Sequence, residues 1–144
     1  DIIFENDYFR LHIFHWSNTT QRSEFVNILL VEDELLLAVE TAEMLISFGH
    51  NVNIASNAES ALEKLSESDD YDVLVSDMKM PGMSGLDLII FARKKFFADR
   101  ENIRFILVSG HLSASESAEK LAALNIDFLP KPVSARSLLA ALEP

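Results

Sequence analysis

The sequence predicts an α/β protein: a parallel, doubly wound sheet of five strands with helices on both faces. Three observations carry this. Short apolar runs recur at 28–31, 52–55, 73–75, 104–108 and 127–129, with the length and Val/Ile/Leu content of strands buried on both sides. Helical patterns separate each run from the next, and a strand that returns through a helix pairs in parallel with its predecessor. Four of the runs also end in a polar group: Glu32-Asp33, Asp77, Ser109 and Lys131. In open α/β sheets ligands sit outside the carboxyl ends of the strands, so parallel neighbours deliver all four groups to one edge.

Each element has its own local reason. The first strand, NILLV at 27–31, runs into Glu32, Asp33 and Glu34, and the first helix follows with Leu35, Leu36, Val39, Met44, Leu45 and Phe48 as its apolar face. Gly49 fits a helix stop, because glycine enters the left-handed region without penalty. The second strand spans 52–55. Ser56 or Asn57 caps a helix whose apolar stripe is Ala58, Ala61, Leu62 and Leu65, and a polar loop at 66–70 leads to the third strand.

After Asp77, Pro81 fixes the entry to the loop while Gly82 and Gly85 supply permissive backbone. A third helix is expected over 86–97 and a charged connection over 98–102. A fourth helix, capped by Ser113 or Ser115, runs through Ala118, Leu121, Ala122 and Leu124 and stops at Asn125. The fifth strand is short, and a helix over 134–142 with Leu138, Leu139 and Leu142 inward closes the domain.

The ordered set Glu32-Asp33, Asp77, Met80-Pro81-Gly82, Gly85, Ser109-Gly110 and Lys131-Pro132 is far more specific than any one member. On these residues the chain from 27 to 143 resembles the receiver domains of bacterial two-component response regulators. The resemblance implies a flavodoxin-like (βα)5 sandwich with strand order 2-1-3-4-5, the first and fifth helices on one face and the other three opposite.

It also implies roles. Asp77 is then the phosphoacceptor. Glu32, Asp33, Asp77 and the backbone carbonyl of Lys79 hold Mg2+, Ser109 and Phe128 form a switch pair, and the Lys131-Pro132 peptide is cis. The implied donor is a histidine kinase or a phosphotransfer protein in a phosphorelay. Phosphorylation would re-shape the surface made by the fourth helix, fifth strand and fifth helix. Such a protein is no enzyme beyond catalysing its own phosphorylation and dephosphorylation, and its downstream effector is left unnamed.

The chemistry of the residues agrees. Crowded carboxylates repel one another, a divalent cation relieves the repulsion, and magnesium prefers oxygen ligands from one or two carboxylates plus a phosphate. A carboxylate can then attack phosphorus, with Lys131 as a mobile counter-charge and Ser109 as a hydroxyl donor. The sequence departs from the commonest pattern at Glu32 for Asp, Ser109 for Thr and Phe128 for Tyr. Lys79 stands where a haloacid-dehalogenase-like phosphatase needs a second Asp, and the first strand lacks the phosphate loop of a flavodoxin-like cofactor carrier. A phosphorylation-independent receiver-like protein-binding module is the alternative reading.

Composition bounds the partners. Of 144 residues, 12 are Lys or Arg and 23 are Asp or Glu, a formal net charge of -11. Such a surface repels phosphate backbones, so direct nucleic-acid binding is not expected. Cysteine is absent, which suits a reducing, cytoplasmic setting. No apolar run approaches the ~20 residues of a membrane span. His12, His15 and His50 lack partners at ligand spacing, so no transition metal is expected.

Two domains of unequal standing are expected: an N-terminal extension over 1–24 and a receiver over 25–144. The extension is aromatic-rich (Phe4, Tyr8, Phe9, Phe14, Trp16), and it reads either as a strand packed on its own domain or on a second copy in a homodimer, or as a passive tail. The chain itself is either a stand-alone receiver or one cut from a larger regulator or hybrid kinase.

Overall fold

In the computed structural model, residues 25–112 and 117–143 are described. The expectations for 1–24 and for Ser113 and Ser115 as caps lie outside them. Strands β1 (Asn27–Val31), β2 (Asn51–Ala55), β3 (Val73–Asp77), β4 (Arg104–Ser109) and β5 (Ile126–Pro130) alternate with helices α1 (Leu35–Ser47), α2 (Ala58–Glu67), α3 (Gly85–Phe96), α4 (Ala118–Ala123) and α5 (Ala135–Leu142). The five strands form one parallel sheet in the order β2-β1-β3-β4-β5, as expected.

Strand alternation sorts the core into two layers. Ile28, Leu30, Val73, Val75 and Ile106 face α1 and α5 through Ala42, Leu45, Leu138 and Leu142. Leu29, Val31, Leu74 and Leu107 face α2, α3 and α4 through Ala61, Leu65, Leu88, Ile89 and Leu121. The central β3 is buried along its whole length, as a strand covered on both faces must be. Pro130 lacks an N–H and sits in β5, which has no outer partner strand among the described residues to need one.

Helix boundaries follow their caps. Asn57 accepts from the Ser60 N–H, Ser84 from Asp87, Ser117 from Lys120 and Ser134 from Ser137, each satisfying an otherwise unpaired amide. The fourth helix is thus capped by Ser117. Asn125, at φ 54°, ends it in the left-handed region, as expected of a stop residue.

The expected apolar face of α1 needs correction. Leu35 and Leu36 are 70% and 80% exposed and Val39 and Phe48 are exposed too, while the buried residues are Ala38, Ala42 and Leu45. The i, i+4, i+7 stripe that meets the sheet is carried mostly by alanines, whose small side chains let the helix lie close. Large side chains dominated the sequence reading, but close packing selects small ones.

At the opposite end of the sheet, the Val26 N–H donates to His50 Nδ1 at 3.2 Å, and the Phe25 ring stands edge-on to His50 with centroids 6.5 Å apart. Burial holds the His50 pKa below its ordinary 6.5. The folded protein therefore binds fewer protons than the unfolded chain between the two pKa values, so stability falls as pH drops through 6.5 and levels off below the folded pKa. A comparison of melting midpoints at about pH 7 and about pH 5 should show a larger drop in wild type than in His50→Gln, which cannot charge. Equal drops would mean that His50 is not the group responsible.

Candidate functional site

The sheet register assembles the site. Asp77 pairs with Val108 across β3 and β4, and the Met78 N–H donates to the Val108 carbonyl at 2.8 Å, carrying the ladder one residue past Asp77. On the other side of β4, the Lys131 N–H donates to the Ser109 carbonyl at 2.9 Å. Three strand ends are thereby locked side by side. Beyond β1, Glu32 turns back on the start of α1, and its Oε1 accepts the Glu34 N–H at 3.1 Å, where a helix N-terminus favours negative charge.

Asp77 and Glu32 are each only 7% exposed, an unusual state for carboxylates unless they are paired. The Lys131 ammonium supplies the pairing, with Nζ 3.0 Å from Asp77 Oδ2 and 3.9 Å from Glu32 Oε2. Burial pushes the Glu32 pKa up, and the charges of Asp77 and Asp33 push the same way against the Glu34 N–H and Lys131. For Lys131, burial alone would lower the pKa, but the hydrogen bond and charge of Asp77, with Glu32 and Glu34, outweigh it and raise it. The ammonium therefore stays charged.

Glu32, Asp33 and Asp77 each offer an oxygen, and these oxygens lie within 4.8 Å of one another. Hard oxygen donors at this spacing fit one small divalent cation, held directly or through a water, and magnesium suits them better than a softer metal. Asp33 and the Lys79 side chain are exposed.

Ser109 is brought to the same edge, but its hydroxyl is engaged elsewhere: Oγ donates to the His111 carbonyl at 2.7 Å and accepts the His111 N–H at 3.2 Å. Phe128 is half-buried against the layer of Leu107 and Leu121, and it pairs with Leu107, two residues before the Ser109–Pro130 pair. Ser109 and Phe128 thus lie on the α2/α3/α4 face, whereas Asp77 alternates with Val75 toward α1 and α5. The Lys131-Pro132 peptide is cis, as the resemblance implies.

Gly85 carries more than the permissive backbone that sequence reasoning assigned to it. A Cβ there would stand 2.0 Å from the Asp77 carbonyl oxygen and 2.9 Å from Ser76 Oγ, and the Gly85 N–H donates to the Met78 carbonyl at 2.9 Å. The start of α3 therefore lies directly against the turn that carries Asp77. Gly85→Ala should displace that turn and cost about 1–3 kcal/mol, as overpacking does. The check is a lower urea midpoint at unchanged m-value.

Residues 28–143 match the family model described as the response regulator receiver domain. The chain is 34% identical over 125 residues to the sensor kinase CckA of Brucella abortus, covering 86% of this chain and 13% of that protein. It is 33% identical over 117 residues to the two-component response regulator PhoP of Pseudomonas aeruginosa, covering 81% and 50%. The chain thus spans half or less of the length of these relatives. Among solved structures, a response regulator receiver protein from Pseudomonas putida superposes with TM-score 0.72 at 30% identity, over 83% of this chain and 97% of that one.

Proposed function

The chain belongs to the response regulator receiver domains of two-component signalling, and on that premise we propose that it takes a phosphoryl group onto Asp77 from a histidine kinase or phosphotransfer protein. The observation that carries the reading is Asp77 itself: a buried carboxylate at a strand end, 3.0 Å from an ammonium and clustered with Glu32 and Asp33.

In the proposed reaction, Asp77 Oδ forms a bond to phosphorus as the P–N bond to the donor imidazole breaks, and the imidazole leaves with the electron pair. Glu32, Asp33, Asp77 and the Lys79 carbonyl would hold Mg2+, which, when bound, offsets phosphoryl charge. Lys131 exchanges its contact with Asp77 for one with a phosphoryl oxygen. Ser109 exchanges the His111 carbonyl for another phosphoryl oxygen. As Ser109 moves, Phe128 on the same face fills the space behind it, and the surface of α4, β5 and α5 changes.

Sensor kinases among the relatives support a histidine-kinase donor. No described helix is long and apolar enough to cross a membrane, and the acidic charge argues against direct nucleic-acid contact; a cytoplasmic setting is the one proposed.

Incubation with a small acyl phosphate and Mg2+, followed by intact mass, tests the proposal. One phosphoryl group gained, and lost again in alkali as an acyl phosphate is, supports it. A folded protein that gains none under any donor would be the phosphorylation-independent binding module instead.

A further inference from the structure

Beside the acidic cluster lies a cavity of about 410 Å³, within the roughly 300–1,000 Å³ of small-molecule sites. It opens between α1 and α5. Its floor is Leu30, Val75 and Val108, one wall is Leu37, Thr41 and Met44 of α1, and Leu138 of α5 faces them. The α1 wall residues repeat at i, i+4, i+7, a second stripe beside the Ala38, Ala42 and Leu45 stripe that meets the sheet. Glu32, Asp77 and Lys131 also line the cavity.

Apart from the charged rim and the hydroxyls of Thr41 and Ser134, the lining is hydrocarbon, so the body of an occupant is mostly apolar. Its charged boundary is unbalanced, with Lys131 set against Glu32 and Asp77 in the lining and Asp33 beside them. Lys131 Nζ reaches hydrogen-bonding distance of Asp77 at 3.0 Å but stays 3.9 Å from Glu32 Oε2, an oxygen still able to accept. With no divalent cation bound, an anionic head would meet three carboxylates against the single Lys131 ammonium, and a neutral head would leave the excess charge unmatched. An ammonium, with three donors, matches it.

We propose that this cavity binds a small amphiphilic amine, an alkyl or aryl tail bearing a primary ammonium, with the tail over Val75 and Val108 and the head on Glu32. Because the head shares Glu32 with the cation site, amine and divalent cation weaken each other reciprocally. That makes the cavity an inhibitory input to phosphorylation, a consequence that rests on the function proposed above; the binding does not.

The test uses phenethylammonium chloride, titrated into the full chain in Mg2+-free buffer and followed by methyl NMR. Saturable shifts are expected at Val75, Val108 and Leu138, with Leu74 and Leu107 on the other face of the sheet unmoved. The alcohol 2-phenylethanol should bind about tenfold more weakly, lacking the charge-assisted hydrogen bond. Saturating Mg2+ should raise the amine's midpoint several-fold. Thr41→Trp and, independently, Leu37→Trp fill the cavity from the α1 side and should abolish the shifts; neither residue has a part in the phosphotransfer proposed above. Shifts that never saturate, equal affinity for the alcohol, or shifts that persist in both filled variants would overturn the proposal. Phosphorylation plays no part in this readout, so an Asp77 that refuses phosphate would sink the proposed function and leave this result standing.

Discussion

Asp77→Asn is expected to abolish phosphorylation completely while leaving a folded protein. The amide is nearly isosteric with the carboxylate, and its oxygen can still accept from the Lys131 ammonium now 3.0 Å away. What disappears is the anionic nucleophile, and with it the covalent route to an acyl phosphate. The fold should not suffer, because the substitution also removes a negative charge crowded against Glu32 and Asp33, and like charges at this range oppose burial. In Mg2+-free buffer the melting midpoint should equal or exceed that of wild type. Intact mass after treatment with donor and Mg2+ decides the matter: a phosphoryl adduct at wild-type extent on the variant means that another residue is the acceptor.

Lys131→Ala should separate metal binding from signal propagation. In the metal-free state the ammonium is the counter-ion of Asp77 and Glu32, so it competes with any cation for the same oxygens. Its removal should leave Mg2+ binding intact and tighten it by up to about tenfold, one charge pair's worth. Without the cation, two buried carboxylates lose their partner, which should cost about 1–3 kcal/mol. Mg2+ should then restore stability, raising the variant's melting midpoint more than wild type's, since a ligand stabilises the state that binds it in proportion to its affinity. Downstream, the phosphoryl group lacks its counter-charge, so the change in the Phe128 amide chemical shift on phosphorylation should shrink several-fold. A variant with the full wild-type response at Phe128 would reduce Lys131 to a surface charge.

Much of the site was legible because chemistry and chain order coincide at strand ends. Glu32, Asp33, Asp77, Ser109 and Lys131 each follow an apolar run, and a parallel sheet must bring such positions to one edge. The strand order came from the resemblance, since five alternating units alone allow other windings. The reading of α1 failed for a nameable reason. Hydropathy weighs Leu35 and Leu36 above Ala38 and Ala42, whereas the distance between helix and sheet decides which of them is buried. Gly85 was under-read for a similar reason, because its steric requirement comes from the Asp77 carbonyl at the end of another element.

The sequence by itself determined the class of fold, the strands and their polar ends, a cap at Ser56 or Asn57 and the stop at Asn125, because these depend on local periodicity and on backbone groups a few residues away. The tertiary structure alone decided the rest. It set which carboxylates are buried, that Lys131 bridges Asp77 and Glu32, that the Ser109 hydroxyl is held by His111, and that α1 and α5 leave a cavity beside the acidic cluster. Each of these is a distance between groups far apart in the chain, fixed by how closely helices can approach the sheet, and no periodicity in the sequence encodes it.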